Sequence, residues 1–271
     1  MYYDFYGFSE PPFNITPDPK YLFFSDQHRE ALNHLLFGIQ ERKGFIQLTG
    51  EVGSGKTTTC RAFFNHLDPE KYITALILNP VLTPSEMLRA ILYEMNVPGV
   101  SDDHLKNYSL LNAFLLKQVK AGVDVVLVID EAQNLSMELL EQVRLLSNLE
   151  TDNQKLIQII LMGQPELKRT LEDPSMRQLR QRITVRYHLG ALSKDETRRY
   201  LEHRMTVAGS KGVPRFDTGA VNVILRKSGG IPRMINALAD KALLAGYVFK
   251  TERITRQLVK LAAKELDGDY A

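Results

Sequence analysis

Apolar positions along the first 190 residues of this 271-residue chain follow two alternating rhythms. Ala31, Leu32, Leu35, Leu36 and Ile39 recur at helical spacing, which predicts an amphipathic helix from His28 to Ile39. Phe45 to Thr49, Ile73 to Asn79, Val123 to Ile129, Leu156 to Gly163 and Ile183 to Leu189 are short apolar runs rich in β-branched residues, and each reads as a buried strand. Between them lie helical stretches: one from Thr58, one from Thr83, one over about Ser109 to Ala121 and one from Ser136 to Leu149. Thr83-Pro84-Ser85-Glu86 carries a capping-box signature, with Thr83 as cap, Pro84 in the first turn and Glu86 reaching back. Strands alternating with helices predict an α/β fold with a parallel, doubly wound sheet.

From Ser193 the rhythm changes. Ser193-Lys194-Asp195-Glu196 is a second capping box, and the sequence after it keeps helical periodicity, broken by Gly-Gly-Ile-Pro at 229–232. The expected organisation is therefore an αβα domain over 1–190 and a small all-helical domain over 191–271. Nine of the 23 Phe and Tyr residues fall in the first 25 positions, which predicts an extended aromatic strap that must pack on something. Two roles fit it: lining a purine pocket or subunit contact, or filling a core.

Composition refines this picture. Net charge is +2 overall, but residues 1–190 carry 19 Lys/Arg against 23 Asp/Glu, whereas 191–271 carry 15 against 9. The basic C-terminal part fits a polyanion, or an acidic surface on a neighbouring subunit. Cys60 is the only cysteine, so no intrachain disulfide can form, and its apolar surroundings predict core packing. The six histidines lack metal-ligand spacing, so no zinc site is expected. The N-terminus has no signal-peptide layout and no run is long enough to span a bilayer, so a soluble, cytoplasmic chain is expected.

The chemistry begins where the Phe45 strand ends. Gly50-Glu51-Val52-Gly53-Ser54-Gly55-Lys56-Thr57-Thr58 fits G-x-x-x-x-G-K-[ST] in full, between a strand and a helix. Gly50, Gly53 and Gly55 let the backbone N–H groups curl inward around a phosphate. The helix that follows adds its N-terminal N–H groups. Lys56 supplies charge to the β- and γ-phosphates, and the Thr57 hydroxyl suits Mg²⁺.

The central strand ends in Asp130-Glu131-Ala132-Gln133, two carboxylates at the sheet edge where α/β folds bind ligands. Asp130 is expected in the Mg²⁺ shell and Glu131 as the group that polarises an attacking water. Gln164, after the fourth strand, is expected beside Glu131, either orienting that water or simply meeting solvent. Arg177, Arg180, Arg182 and Arg186 cluster before the fifth strand, as a solvated face or as charges offered to a neighbour's nucleotide. Arg233, in Gly229-Gly230-Ile231-Pro232-Arg233, opens a helix and either reaches the phosphates or lies on the surface.

Together these motifs resemble an AAA+ P-loop ATPase over about residues 25–265. Tyr3-x-Phe5-Tyr6-Gly7-Phe8 with Pro12-Phe13, His28-Arg29-Glu30-Ala31-Leu32, the glycine loop, Asp130 to Leu135 and Gly163 to Leu167 are similar to the ExeA/GspA group, which is linked to type II secretion and MSHA-type pilus biogenesis. The resemblance implies a five-stranded parallel sheet between helices followed by a helical lid. It also implies ATP and Mg²⁺ as cofactors, head-to-tail self-assembly on ATP, and hydrolysis to ADP and phosphate that drives assembly of a secretion or pilus machine. By the same resemblance Lys56 and Thr57 are Walker A, Asp130 and Glu131 Walker B, Gln164 sensor 1 and Arg233 sensor 2. Asn79 is implied as a partner restraining Glu131, and Arg182, then Arg177, as the arginine finger. ExeA-type proteins continue into a membrane span and a peptidoglycan-binding region, whereas this sequence ends at Ala271. The core also resembles TnsC/TniB transposition regulators, which assemble on DNA, so a DNA-binding regulator is the alternative. A small-molecule kinase accounts for neither Glu131 nor Arg233, and a two-motor helicase does not fit the length.

Overall fold

The computed structural model describes residues 2–14, 18–78, 80–151 and 154–267. The chain forms two compact units, one of His28–Gly50 and Thr59–Leu189, the other of Met1–Gln27, Glu51–Thr58 and Gly190–Ala271.

In the first unit, β1 (Phe45–Gly50), β2 (Tyr72–Ile77), β3 (Asp124–Ile129), β4 (Gln158–Gly163) and β5 (Ile183–Leu189) form a parallel sheet in the order β2-β3-β4-β1-β5. Every residue of β1 and β4 is buried, as is all of β3 after Asp124. Strands covered on both faces are mainly apolar rather than alternating, which is why these runs are nearly continuous in the sequence, with Gln47, Thr49 and Gln158 as buried polar exceptions. Residues of Pro84–Glu94, His104–Lys120 and Met137–Leu146, among them Met87, Ile91, Leu111, Leu115 and Leu140, close one core against the sheet.

The expected strands appear, some with trimmed ends, and β2 stops at Ile77. The capping box at Thr83 forms: the Glu86 N–H donates to Thr83 Oγ1 at 3.3 Å, and the Thr83 N–H to Glu86 Oε2 at 2.7 Å. The helix expected from Ser109 instead starts at His104, because Asp103 caps it by accepting from the N–H groups of Leu105 and Lys106 at 2.9 and 3.2 Å. Its first turn carries the exposed Leu105 and no apolar repeat, so periodicity alone could not find it.

The second unit packs helices Lys194–Val207, Thr218–Ser228, Pro232–Val248 and Arg256–Asp267. The Ser193–Glu196 capping box closes as expected. Two short parallel strands, β6 (Arg215–Phe216) and β7 (Arg253–Ile254), join these helices, a pairing too short to leave a period-2 signal.

The aromatic strap departs from the expected organisation. Placed by sequence with the domain of residues 1–190, it packs in the C-terminal unit, where Tyr2, Tyr6, Phe8, Phe13 and Tyr21 share a core with Leu201, Leu238 and Leu243. Tyr6 Oη donates toward the carbonyl oxygens of Leu243 and Thr251 at 3.2 and 3.1 Å. Gly246 makes that approach feasible, since a Cβ there would collide with the Tyr6 hydroxyl. These five rings fill a core, one of the two roles open to them.

Candidate active site

β1 ends at Gly50, and the chain turns through Glu51 to Gly55 into the helix Lys56–His66. Gly53 and Gly55 take φ of +78° and +105°, a region that side chains disfavour, so these two glycines bend the loop. Gly53 has a second constraint: a Cβ there would collide with Arg233 Cβ, and the Arg233 N–H lies 3.4 Å from the Gly53 carbonyl. Arg233 thus opens its helix directly against the glycine loop, with an exposed side chain. Lys56 is buried, and its Nζ donates to the Glu51 carbonyl at 3.0 Å. Glu51, Val52 and Thr57 are exposed, Ser54 is buried, and Thr58 is half-buried.

In the sheet unit, Thr49 of β1 pairs with Gly163 of β4, and Ile129 of β3 with Leu161, so the three strands finish along one edge. Asp130 is buried; its N–H donates to the Ile77 carbonyl at 2.8 Å, and its Oδ1 accepts from the Glu131 N–H at 2.8 Å. Glu131 adopts φ 52° and ψ 36°. That left-handed conformation costs a non-glycine residue about 1–2 kcal/mol, so surrounding contacts must hold it.

Those contacts involve two glutamines. Glu131 Oε2 accepts from Gln133 Nε2 at 2.6 Å and from Gln164 Nε2 at 3.2 Å, while Gln133 Oε1 accepts from the Gln164 N–H at 3.0 Å. Gln164 therefore stands beside Glu131, where the sequence places it. The Asp-Glu-Ala-Gln motif gives Gln133 no role by itself; its polarity after the strand is the one signal the sequence offers. Asn79, the implied restraint on Glu131, lies outside the described residues.

The arginines divide. Arg182 is half-buried and its Nη1 donates to Ser147 Oγ at 2.9 Å, and Arg186 Nη2 donates to the Arg180 carbonyl at 2.5 Å. Arg177 is exposed, and its side chain has no hydrogen-bond or ion-pair partner among the described residues. Cys60 is buried, and burial, with the Asp130 charge adding to it, pushes its thiol up to about 12. It stays protonated at neutral pH and packs as a small apolar group.

A family model described as an AAA domain matches residues 39–171. General secretion pathway protein A of Aeromonas hydrophila is 48% identical over 269 residues, covering 99% of this chain and 49% of that protein. The chain belongs to the ExeA/GspA group of AAA+ proteins. This AAA+ chain spans about half the length of the curated relative it matches. Among solved structures it is similar to the Aeropyrum pernix ORC2 protein, with a TM-score of 0.67 at 18% identity over 95% of this chain and 72% of that one. Drosophila ORC bound to DNA gives 0.67 at 18% over 94% and 64%, and the Thermotoga maritima RuvB branch migration motor gives 0.57 at 20% over 90% and 69%. At such identities the likeness is one of fold, and that fold is AAA+.

Proposed function

We propose that this AAA+ chain binds ATP with Mg²⁺ and hydrolyses it, cycling between assembled and released states to drive a secretion or pilus machine. The observation that carries this reading is Glu131. It is a carboxylate held in a strained backbone conformation at the C-terminal sheet edge, with Oε2 anchored by two amides and Oε1 accepting from no described residue. A group built in this way can take a proton from water.

In the proposed reaction the water oxygen attacks the γ-phosphorus, its proton passes to Glu131 Oε1, and the bond from phosphorus to the β-γ bridging oxygen breaks, releasing ADP and phosphate. Backbone N–H groups of Gly50 to Thr58 and the Lys56 ammonium bind the phosphates, and Arg233 reports nucleotide to its helix. The Thr57 hydroxyl and the buried Asp130 carboxylate are hard oxygen donors of the kind Mg²⁺ takes, so these residues fit the ion. When bound, Mg²⁺ neutralises charge on the phosphate oxygens. Among the described residues no helix is long and apolar enough to cross a membrane. The secretion role rests on the name of the 48% identical relative.

For the finger we assign Arg177 ahead of Arg182, because a trans-acting arginine must be exposed in its own subunit and Arg182 is engaged by Ser147. The purified chain should release phosphate from MgATP with no acceptor metabolite present. Arg177→Ala should lower that rate by about 10²-fold or more, and mixing it with a Lys56→Ala chain should restore part of it. Full activity of Arg177→Ala, or no recovery on mixing, would count against this assignment. The basic C-terminal part supports DNA binding as a second reading. Phosphate release stimulated by duplex DNA, with a steep loss of binding as salt rises, would favour it.

A further inference from the structure

We infer that Gln133 is the positioning residue of the hydrolytic base, locking one oxygen of Glu131 to the end of β4 so that the other faces the water. This rests on the ATPase reading above. Of the two donors to Oε2, Gln133 makes the shorter contact, at 2.6 Å against 3.2 Å for Gln164. The same Gln133 amide accepts from the Gln164 backbone N–H at 3.0 Å, so it joins the residues that follow β3 to those that follow β4. With both ends of its amide engaged, Gln133 is itself held in place, so the donor that anchors Glu131 Oε2 has a fixed position.

The neighbouring backbone makes room for this bridge. A Cβ on Gly163 would sit 2.8 Å from Gln133 Oε1 and 3.0 Å from Leu167 Cδ2, so glycine lets the amide close. Glu131 also needs an outside constraint, because its φ of 52° is disfavoured for a residue with a side chain. Gln133 supplies it two residues along the chain. Gln164, the residue expected to sense the γ-phosphate, contacts Glu131 by its side chain and Gln133 by its backbone. A displacement at Gln164 therefore reaches the base by two routes, and Gln133 carries one of them.

The test compares wild type, Gln133→Met, Gly163→Ala and Glu131→Gln for kcat, KM, binding of an ATP analogue and Tm. Met keeps the length of Gln133 but has neither its donor nor its acceptor. Gln133→Met should lower kcat about 10- to 100-fold with analogue affinity unchanged. Gly163→Ala, which displaces the same amide from the other side, should reproduce the loss. Adding Gln133→Met to Glu131→Gln should lower turnover little further, because the two act as a unit. If Gln133→Met and Gly163→Ala keep wild-type kcat while Glu131→Gln is inactive, the role of Gln133 is refuted and the ATPase reading stands. A kcat above wild type would make Gln133 a brake and would also refute it. Wild-type turnover by Glu131→Gln would instead remove the reading on which the inference depends.

Discussion

Replacing Glu131 with glutamine should lower steady-state phosphate release by about 10²- to 10⁴-fold while MgATP still binds. The substitution keeps the size and branching of the side chain, and the backbone strain at φ 52° is the same for both residues. The amide oxygen can still accept from Gln133 and Gln164, so the loop after β3 has no reason to rearrange. What disappears is a negatively charged oxygen able to accept a proton from water, and that loss acts on the chemical step rather than on phosphate binding. Phosphate release at saturating MgATP, measured beside nucleotide affinity, checks the split. An unchanged rate would mean that the base lies elsewhere.

The second large effect concerns stability. Arg204 is a buried arginine whose Nε and Nη2 donate to the carbonyl oxygens of Pro12 and Asn14 at 2.6 and 3.1 Å, and whose Nη1 donates to Tyr200 Oη at 3.1 Å. Its guanidinium carbon also lies 4.6 Å from the Tyr21 ring centroid. One cation thus fastens two backbone positions and one ring of the N-terminal strap to the helix Lys194–Val207. Arg204→Met would fill much of the space but strip the buried Pro12 carbonyl of this donor and Tyr200 Oη of its guanidinium partner, while the exposed Asn14 carbonyl keeps Asn236 Nδ2 at 3.5 Å. At about 1–3 kcal/mol for the Pro12 carbonyl left unsatisfied, plus the lost Tyr200 bond and ring contact, the cost is about 3 kcal/mol. For a chain this long the expected fall in Tm is about 5–10 °C. Arg198, exposed on the same helix, gives the control: Arg198→Met should change stability by less than about 0.5 kcal/mol. A Tm for Arg204→Met equal to that of the control would show that the strap is held by its buried rings alone.

These two predictions differ in how far the sequence announces them. The glycine loop before Lys56 and the Asp130-Glu131 pair are visible in the sequence because each is contiguous: the proposed chemistry needs several backbone amides, or two carboxylates, in a row after a strand. The sheet is legible for a similar reason, since strands buried on both faces are apolar at most positions, with Gln47, Thr49 and Gln158 the buried polar exceptions in β1 and β4. The Thr83 and Ser193 caps are read from a four-residue spacing, and both form. Contacts between distant segments leave no such trace. Gln133 meets Gln164 only because β3 and β4 are neighbours in the sheet, and Arg204 meets Pro12 across 192 positions of sequence. The strap shows the same limit. Its aromatic content predicts burial correctly, but which core receives it is decided by the register of Tyr6 against Gly246 and Arg204 against the Pro12 carbonyl. The arginine cluster illustrates the converse, because spacing cannot separate the engaged Arg182 from the exposed Arg177.

The central claim is that the loop around Lys56 grips a nucleoside triphosphate. Equilibrium binding of a non-hydrolysable ATP analogue with Mg²⁺, to wild type and to Lys56→Ala in parallel, addresses it most directly. Saturable binding by wild type, weakened about 100-fold or more in Lys56→Ala, is the predicted result and corresponds to about 2.7 kcal/mol or more lost with one ammonium group. Equal affinity in the two chains, or no binding by either, would contradict the account.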